Sequence, residues 1–196
     1  MQVNHLSVIP SPSISKQRIF SPGVLLPSNP NCLWKIESGV VRSLTWLEDG
    51  TVVAQGLWGP EDVVGRALSR VEPYQLECLT PVEATLVLAE NWSHLAVNLV
   101  AHIQQSDELS VIRSYKKTDV MLLKFLNWLA RKFGREVAQG HLVDLRLTHQ
   151  NIADLIGLTR VTVTRVLNQL EQQGLIERRS RQQLIVNESE LWHYEI

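Results

Sequence analysis

Residues 147–176 read LTHQNIADLIGLTRVTVTRVLNQLEQQGLI, and this stretch decides the fold. Thr148 can cap a helix start, after which Ile152, Ala153, Leu155 and Ile156 fall on one face. Gly157 follows, where a tight turn needs a positive φ that glycine adopts at least cost. Thr159 can cap a second helix whose buried face is Val161 or Val163, with Val166, Leu167 and Leu170; Gly174 ends it. Two short helices joined by a glycine turn, the second capped and basic at its start, form the helix-turn-helix pattern.

On the second helix Arg160, Thr162, Thr164 and Arg165 cannot all face the core. Arg160 and Arg165 lie in its first two turns, the part that enters the major groove of DNA. A guanidinium fork there matches guanine O6 and N7 and is worth about 1–3 kcal/mol of base discrimination. Thr164 can touch a base, while Thr159 and Thr162 can bond phosphates. Thr148, His149 and Gln150 sit at the preceding helix start, where free amides and the helix dipole favour a phosphate.

Beyond Gly174, Leu175–Arg178 and Gln183–Val186 flank a polar turn at Ser180-Arg181-Gln182. This predicts a hairpin wing, with Arg181 near its tip set to grip the DNA backbone. The chain's formal net charge is −1, but Arg160–Arg181 holds five arginines against Glu171 and Glu177, a local net of +3. A small basic surface on a near-neutral chain suits selective docking to duplex DNA.

Upstream, Trp92, Leu95, Ala96, Leu99, Val100 and Ile103 repeat at helical spacing, with Asn91 as a candidate cap, and the stripe continues through Leu109 and Ile112. This predicts one helix of more than twenty residues over 91–117, with Leu95, Leu99, Ile103 and Leu109 as a coiled-coil-like seam to a second copy of the chain. Lys116-Lys117-Thr118-Asp119 reads as a hinge, Thr118 or Asp119 capping a further helix that Gly134 stops. Residues 18–90 change character to short apolar runs broken by Pro22-Gly23, Ser38-Gly39, Asp49-Gly50 and Gly59-Pro60, the pattern of a small antiparallel barrel or sandwich. Residues 1–17 read as a loose arm.

Composition narrows the function classes. Of 196 residues, 44% are apolar and 20% charged, the balance of a soluble globular protein, and no apolar run reaches the length of a membrane helix. Met1–Pro10 lacks a basic flank and a long apolar stretch, so a cytoplasmic protein without a membrane partner is expected. Cys32 and Cys78 are too few for an iron–sulfur cluster and read as free thiols or as a regulatory pair. Between Arg18 and Asn91 there is no histidine for a metal-dependent barrel enzyme, so neither a metal site nor catalysis is expected. The remaining alternative is a protein-interaction module that keeps the helix-turn-helix shape without reading DNA.

The 147–176 run closely resembles the DNA-binding signature of the Crp/Fnr transcription regulators, and Arg160-Val-Thr-Val-Thr-Arg165 resembles the cyanobacterial nitrogen-control (NtcA-like) branch. The resemblance implies that Arg160 and Arg165 read bases, that Gln150 and Thr162 contact phosphates, and that Val161 stands at a base-reading position. The nitrogen-control branch also has valine there, so the resemblance implies a GTA…TAC-type palindrome. Phe20–Gly23, Trp34–Val41 and Gly59–Gly65 resemble the family's cyclic-nucleotide-binding β-roll more weakly.

The expected fold is therefore α+β, with a cyclic-nucleotide-binding-like β-roll (18–90), a dimerisation helix (91–117) and a winged helix-turn-helix (118–196). The family's nucleotide cassette departs here: Arg66, not glutamate, follows Gly65, and Pro73 or Tyr74 replaces the phosphate-binding arginine, with Glu72 beside it. Cyclic AMP is not expected to bind. No cofactor is assigned. Gly65, Arg66 and Arg70 are candidates to clamp a small carboxylate effector such as 2-oxoglutarate, or else are solvated loop residues. Double-stranded DNA, a second copy of the chain and RNA polymerase are the expected partners.

Overall fold

The computed structural model describes residues 17–179 and 183–187. Its first half is a β-roll of two antiparallel sheets. Strands β1 (Gln17–Phe20), β2 (Cys32–Ser38), β3 (Val41–Trp46), β4 (Val52–Trp58), β5 (Val63–Val64), β6 (Gln75–Cys78) and β7 (Val82–Leu88) pair in the orders β1-β7-β2-β5 and β4-β3-β6. The Asp49-Gly50 signal sits in the β3–β4 hairpin, where Gly50 has φ 83° and Asp49 accepts the Thr51 amide at 2.9 Å. Trp34, Trp58, Tyr74, Leu76 and Cys78 fill the space between the sheets, so the roll is packed with its own side chains. Cys32 and Cys78 are both buried free thiols.

The predicted long helix begins later than its stripe suggests. Ala89–Leu95 is 3₁₀, and α1 spans Ala96–Ser114 with no side-chain cap from Asn91. The seam is also corrected. Leu95 packs on Leu33 and Val63 of the roll, with Leu99 against the same cluster, and Leu109 lies in the central core. Ile103 of that seam does face outward, 60% exposed, in an apolar stripe with Val97 (82% exposed), Val100 and Val111. A 3.6-residue period reveals a stripe but not which of two apolar faces belongs to the chain's own core.

Helix α2 (Thr118–Phe133) starts after Lys117, so neither Thr118 nor Asp119 is its cap. Eight of its residues, among them Leu122, Phe125 and Trp128, are buried, because the roll, α1 and the C-terminal helices surround it. Gly134 ends it at a close approach: a Cβ there would lie 2.3 Å from the Ala130 carbonyl oxygen.

Strands β8 (Gly134–Val137) and β9 (Gly140–Asp144) follow, then α3 (His149–Ile156), α4 (Arg160–Gln172), β10 (Ile176–Arg178) and β11 (Gln183–Asn187). β10 and β11 form the expected wing hairpin, and β9 and β8 extend it to the sheet β10-β11-β9-β8. The largest buried cluster runs from Val40, Leu44, Ala54 and Leu57 of the roll through α1 and α2 to α3 and α4. No described helix is long and apolar enough to cross a membrane.

Candidate nucleic-acid interface

The reading head is built by local capping. Thr148 accepts the Asn151 amide at 3.0 Å, and the Asn151 side chain accepts the Thr148 amide at 2.9 Å. This reciprocal box holds the start of α3 and satisfies amides that no helical carbonyl reaches. Gly157 takes φ 72° and passes its amide to the Ala153 carbonyl at 2.9 Å. A Cβ at Gly157 would meet no atom within 4 Å, so the left-handed backbone alone favours glycine there. Thr159 caps α4 by accepting the Thr162 amide at 3.1 Å.

On α4 the choice between Val161 and Val163 is resolved: Val163 is fully buried and Val161 is 78% exposed. At about 100° per residue, Val161 and Arg165 stand some 40° apart, opposite the buried stripe of Val163, Val166, Leu167 and Leu170. Arg160 and Thr164 occupy the flank beside them. Arg160 and Arg165 are both exposed, and neither guanidinium has an ion-pair or hydrogen-bond partner among the described residues.

The other arginines of this basic segment differ. Arg178 is bound to Glu171 and donates to Asn168 at 2.8 Å. That pairing holds the Glu171 carboxyl below its usual range. Arg179 pairs with Glu177 at 3.2 Å. The local excess of five arginines therefore reduces to Arg160 and Arg165 as free charges among the described residues, while Arg181 lies outside them.

Six polar positions expected to touch DNA are engaged internally. Thr148 and Thr159 serve as caps, and the Thr162 hydroxyl lies 2.9 Å from that of Thr159. Gln150 donates to Asp154 at 2.7 Å. Thr164, expected to face a base, instead donates to the Arg160 carbonyl at 2.9 Å and meets His149 Nδ1 at 2.7 Å. Burial, and then the nearby Arg178 and Arg160 charges, lower the proton affinity of the His149 ring. Each internal bond satisfies a hydroxyl or amide in place of water, which hydropathy patterning does not reveal.

Polar struts tie the head to the rest of the chain. Arg113 of α1 donates to the Leu155 carbonyl at 2.7 Å and to Ala54 and Gln55 carbonyls at 2.8 and 3.0 Å. Arg42 of β3 lies 3.6 Å from Asp154 of α3 and 2.7 Å from Glu77. Lys132 of α2 pairs with Asp62 at 2.6 Å. These residues carried no sequence motif.

The candidate effector group is corrected as well. Arg66 is bound to Glu72 and to the Ser69 carbonyl, donates to the Val71 carbonyl at 3.2 Å, and lies over the Tyr74 ring. Its guanidinium closes its own loop and is not presented to a ligand. Gly65 backs onto β2, where a Cβ would lie 2.7 Å from Leu33. Arg70 is exposed. Tyr74 is buried in the roll, which raises its phenol above the usual range. His94 is exposed on the 3₁₀ turn, and His102 stacks on Trp58 at 4.0 Å with Nδ1 3.0 Å from the Val63 carbonyl.

Comparison with known proteins adds to this geometry. The Crp-like helix-turn-helix domain family matches residues 122–194. The regulatory protein CysR of Synechococcus elongatus is 43% identical over 160 residues, which cover 80% of this chain and 77% of that protein. A global nitrogen regulator of Nostoc is 40% identical over 78 residues, covering 40% of this chain and 35% of that protein. Among solved structures, FixK2 of Bradyrhizobium japonicum matches with a TM-score of 0.75 at 19% identity, covering 89% of this chain and 93% of that one. A CRP-family regulator from Thermus thermophilus matches at 0.73 with 22% identity, over 87% of this chain and 92% of that one.

Proposed function

Because this chain belongs to the Crp/Fnr family of DNA-binding transcription regulators, which are not enzymes, we propose that it acts in the cytoplasm as a homodimer on a palindromic site. Arg160 and Arg165 read bases, with Val161 between them making apolar contact in the major groove. The observation that carries this reading is the pair of exposed guanidiniums at the capped start of α4, without a partner among the described residues. Desolvation against a base edge costs a free arginine less than one that must first leave a carboxylate. A role as an interaction module that no longer reads DNA is not supported for a member of this family.

The outward stripe Val97, Val100, Ile103 and Val111 is the proposed dimer seam. Pairing along it sets two α4 helices about one helical turn of DNA apart, roughly 34 Å. Gln150, Thr162 and the wing's Arg181 grip phosphates, the first two after exchanging their internal bonds for phosphate oxygens. The bound dimer engages RNA polymerase. The β-roll takes no cyclic AMP, since Trp34, Trp58 and Tyr74 fill it and Arg66 is bound to Glu72.

The test is selection of bound fragments from random DNA, followed by mobility-shift titration at several salt concentrations. A symmetric GTA…TAC-type consensus, bound far more tightly than scrambled DNA and with steep salt dependence, is expected. Equal affinity for all sequences contradicts the reading.

A further inference from the structure

The hydrogen bond between His149 and Thr164 joins the two helices of the reading head at the edge that meets DNA. Thr164 has one hydroxyl proton, and the Arg160 carbonyl at 2.9 Å takes it. His149 Nδ1, 2.7 Å from the Thr164 hydroxyl oxygen, therefore donates to it, which sets the ring's tautomer. The first residue of α3 is thus linked, through one hydroxyl, to the backbone of the first residue of α4. That residue is Arg160.

A cleft of about 80 Å³ adjoins α4, lined by His149 together with Leu126, Leu129, Val143, Ile152 and Leu167. Apolar contacts there resist separation of the helices more than rotation about the α4 axis. A hydrogen bond is directional and weakens steeply when bent. Threonine bonded to the carbonyl four residues back also bends a helix slightly, so the tie acts on the local course of α4.

We propose that His149 is a positioning residue for base readout: through Thr164 it sets the angle at which Arg160 leaves α4. This rests on the assignment of Arg160 as a base reader, and the experiment separates the two. The full chain is titrated with its selected site and with every single base-pair change in it, for wild type, Arg160→Ala, His149→Ala, His149→Asn, Thr164→Val, Thr164→Ser and the His149→Ala/Thr164→Val double variant. Arg160→Ala identifies the base pair that Arg160 reads.

His149→Ala and Thr164→Val are each expected to lower discrimination at that pair about tenfold, with no further loss in the double variant. Thr164→Ser and His149→Asn keep a hydroxyl and a donor at the same places and restore it. Discrimination at the pair read by Arg165 and the thermal midpoint stay near wild type. Uniform weakening on all sequences, or additive losses in the double variant, overturns the proposal. In parallel, ¹⁵N NMR of DNA-free protein reads the ring directly. The Nδ1–H tautomer in wild type and its loss in Thr164→Val are expected, and a ring held as Nε2–H overturns the tie whatever Arg160 does. No change at any base pair in Arg160→Ala contradicts the base-reading assignment instead.

Discussion

Two segments of this molecule carry a pair of arginines a few residues apart, and they differ in what the guanidiniums meet. In the loop after β5, Arg66 turns back onto Glu72 and two carbonyls of its own loop. On α4, Arg160 and Arg165 meet nothing among the described residues. The loop bends back on itself and brings an acid within reach. The helix points successive side chains outward, and the only acid in the α4 segment, Glu171, is held by Arg178. An arginine's availability is thus set by the backbone that presents it, not by local charge count.

The largest expected effect breaks this comparison if it fails. Arg165→Ala should lower affinity for the selected site by about 10- to 100-fold, with the loss confined to one symmetric pair of positions. Arg66→Ala should leave binding to the same DNA unchanged in the same titration. A matched loss from Arg66→Ala would place the loop in the reading event.

Next comes the backbone that presents α4. Gly157→Ala should lower stability by about 1–2 kcal/mol in urea denaturation, since its φ of 72° is strained for any residue with a Cβ. Arg66→Ala should cost less, about 0–1 kcal/mol, because Glu72 is largely exposed to water. Arg165→Ala should shift the urea midpoint within error.

The smallest effect is on pH. Burial lowers the His102 ring's proton affinity, outweighing the opposing influence of Asp62. Its folded pKa lies below its unfolded one, so between the two the unfolded chain binds more protons and stability rises with pH. This contribution is complete above the ordinary histidine pKa near 6.5 and falls as pH drops through and below it. His102→Gln should flatten the slope of stability between about pH 5 and 7, measured by denaturant midpoints. His149, shifted the same way, leaves a residual slope.

The reading head was largely legible because its signals are local. Thr148, Gly157, Thr159 and Gly174 are caps and turns whose chemistry acts within a few residues. The ion pair between Arg66 and Glu72 in the β-roll was not legible, although both residues stood out in the sequence. Thr164 and His149 are 15 residues apart on different helices, and no periodicity marks such a bond. Leu95 and Leu109 belong to the same helical repeat as the outward Ile103, and only packing decides which of them enter the core. Arg113 and Arg42, which join sensor to reader, follow from tertiary geometry alone.

The proposed reading is that the α4 guanidiniums, free among the described residues, serve guanine edges. It is tested most directly by replacing single guanines of the selected site with 7-deazaguanine, which removes the N7 acceptor and leaves pairing intact. Wild type should lose about tenfold in affinity at the symmetric guanine read by each arginine, and Arg165→Ala should show no loss at its own position. Equal losses in wild type and variant, or none in either, would contradict the account.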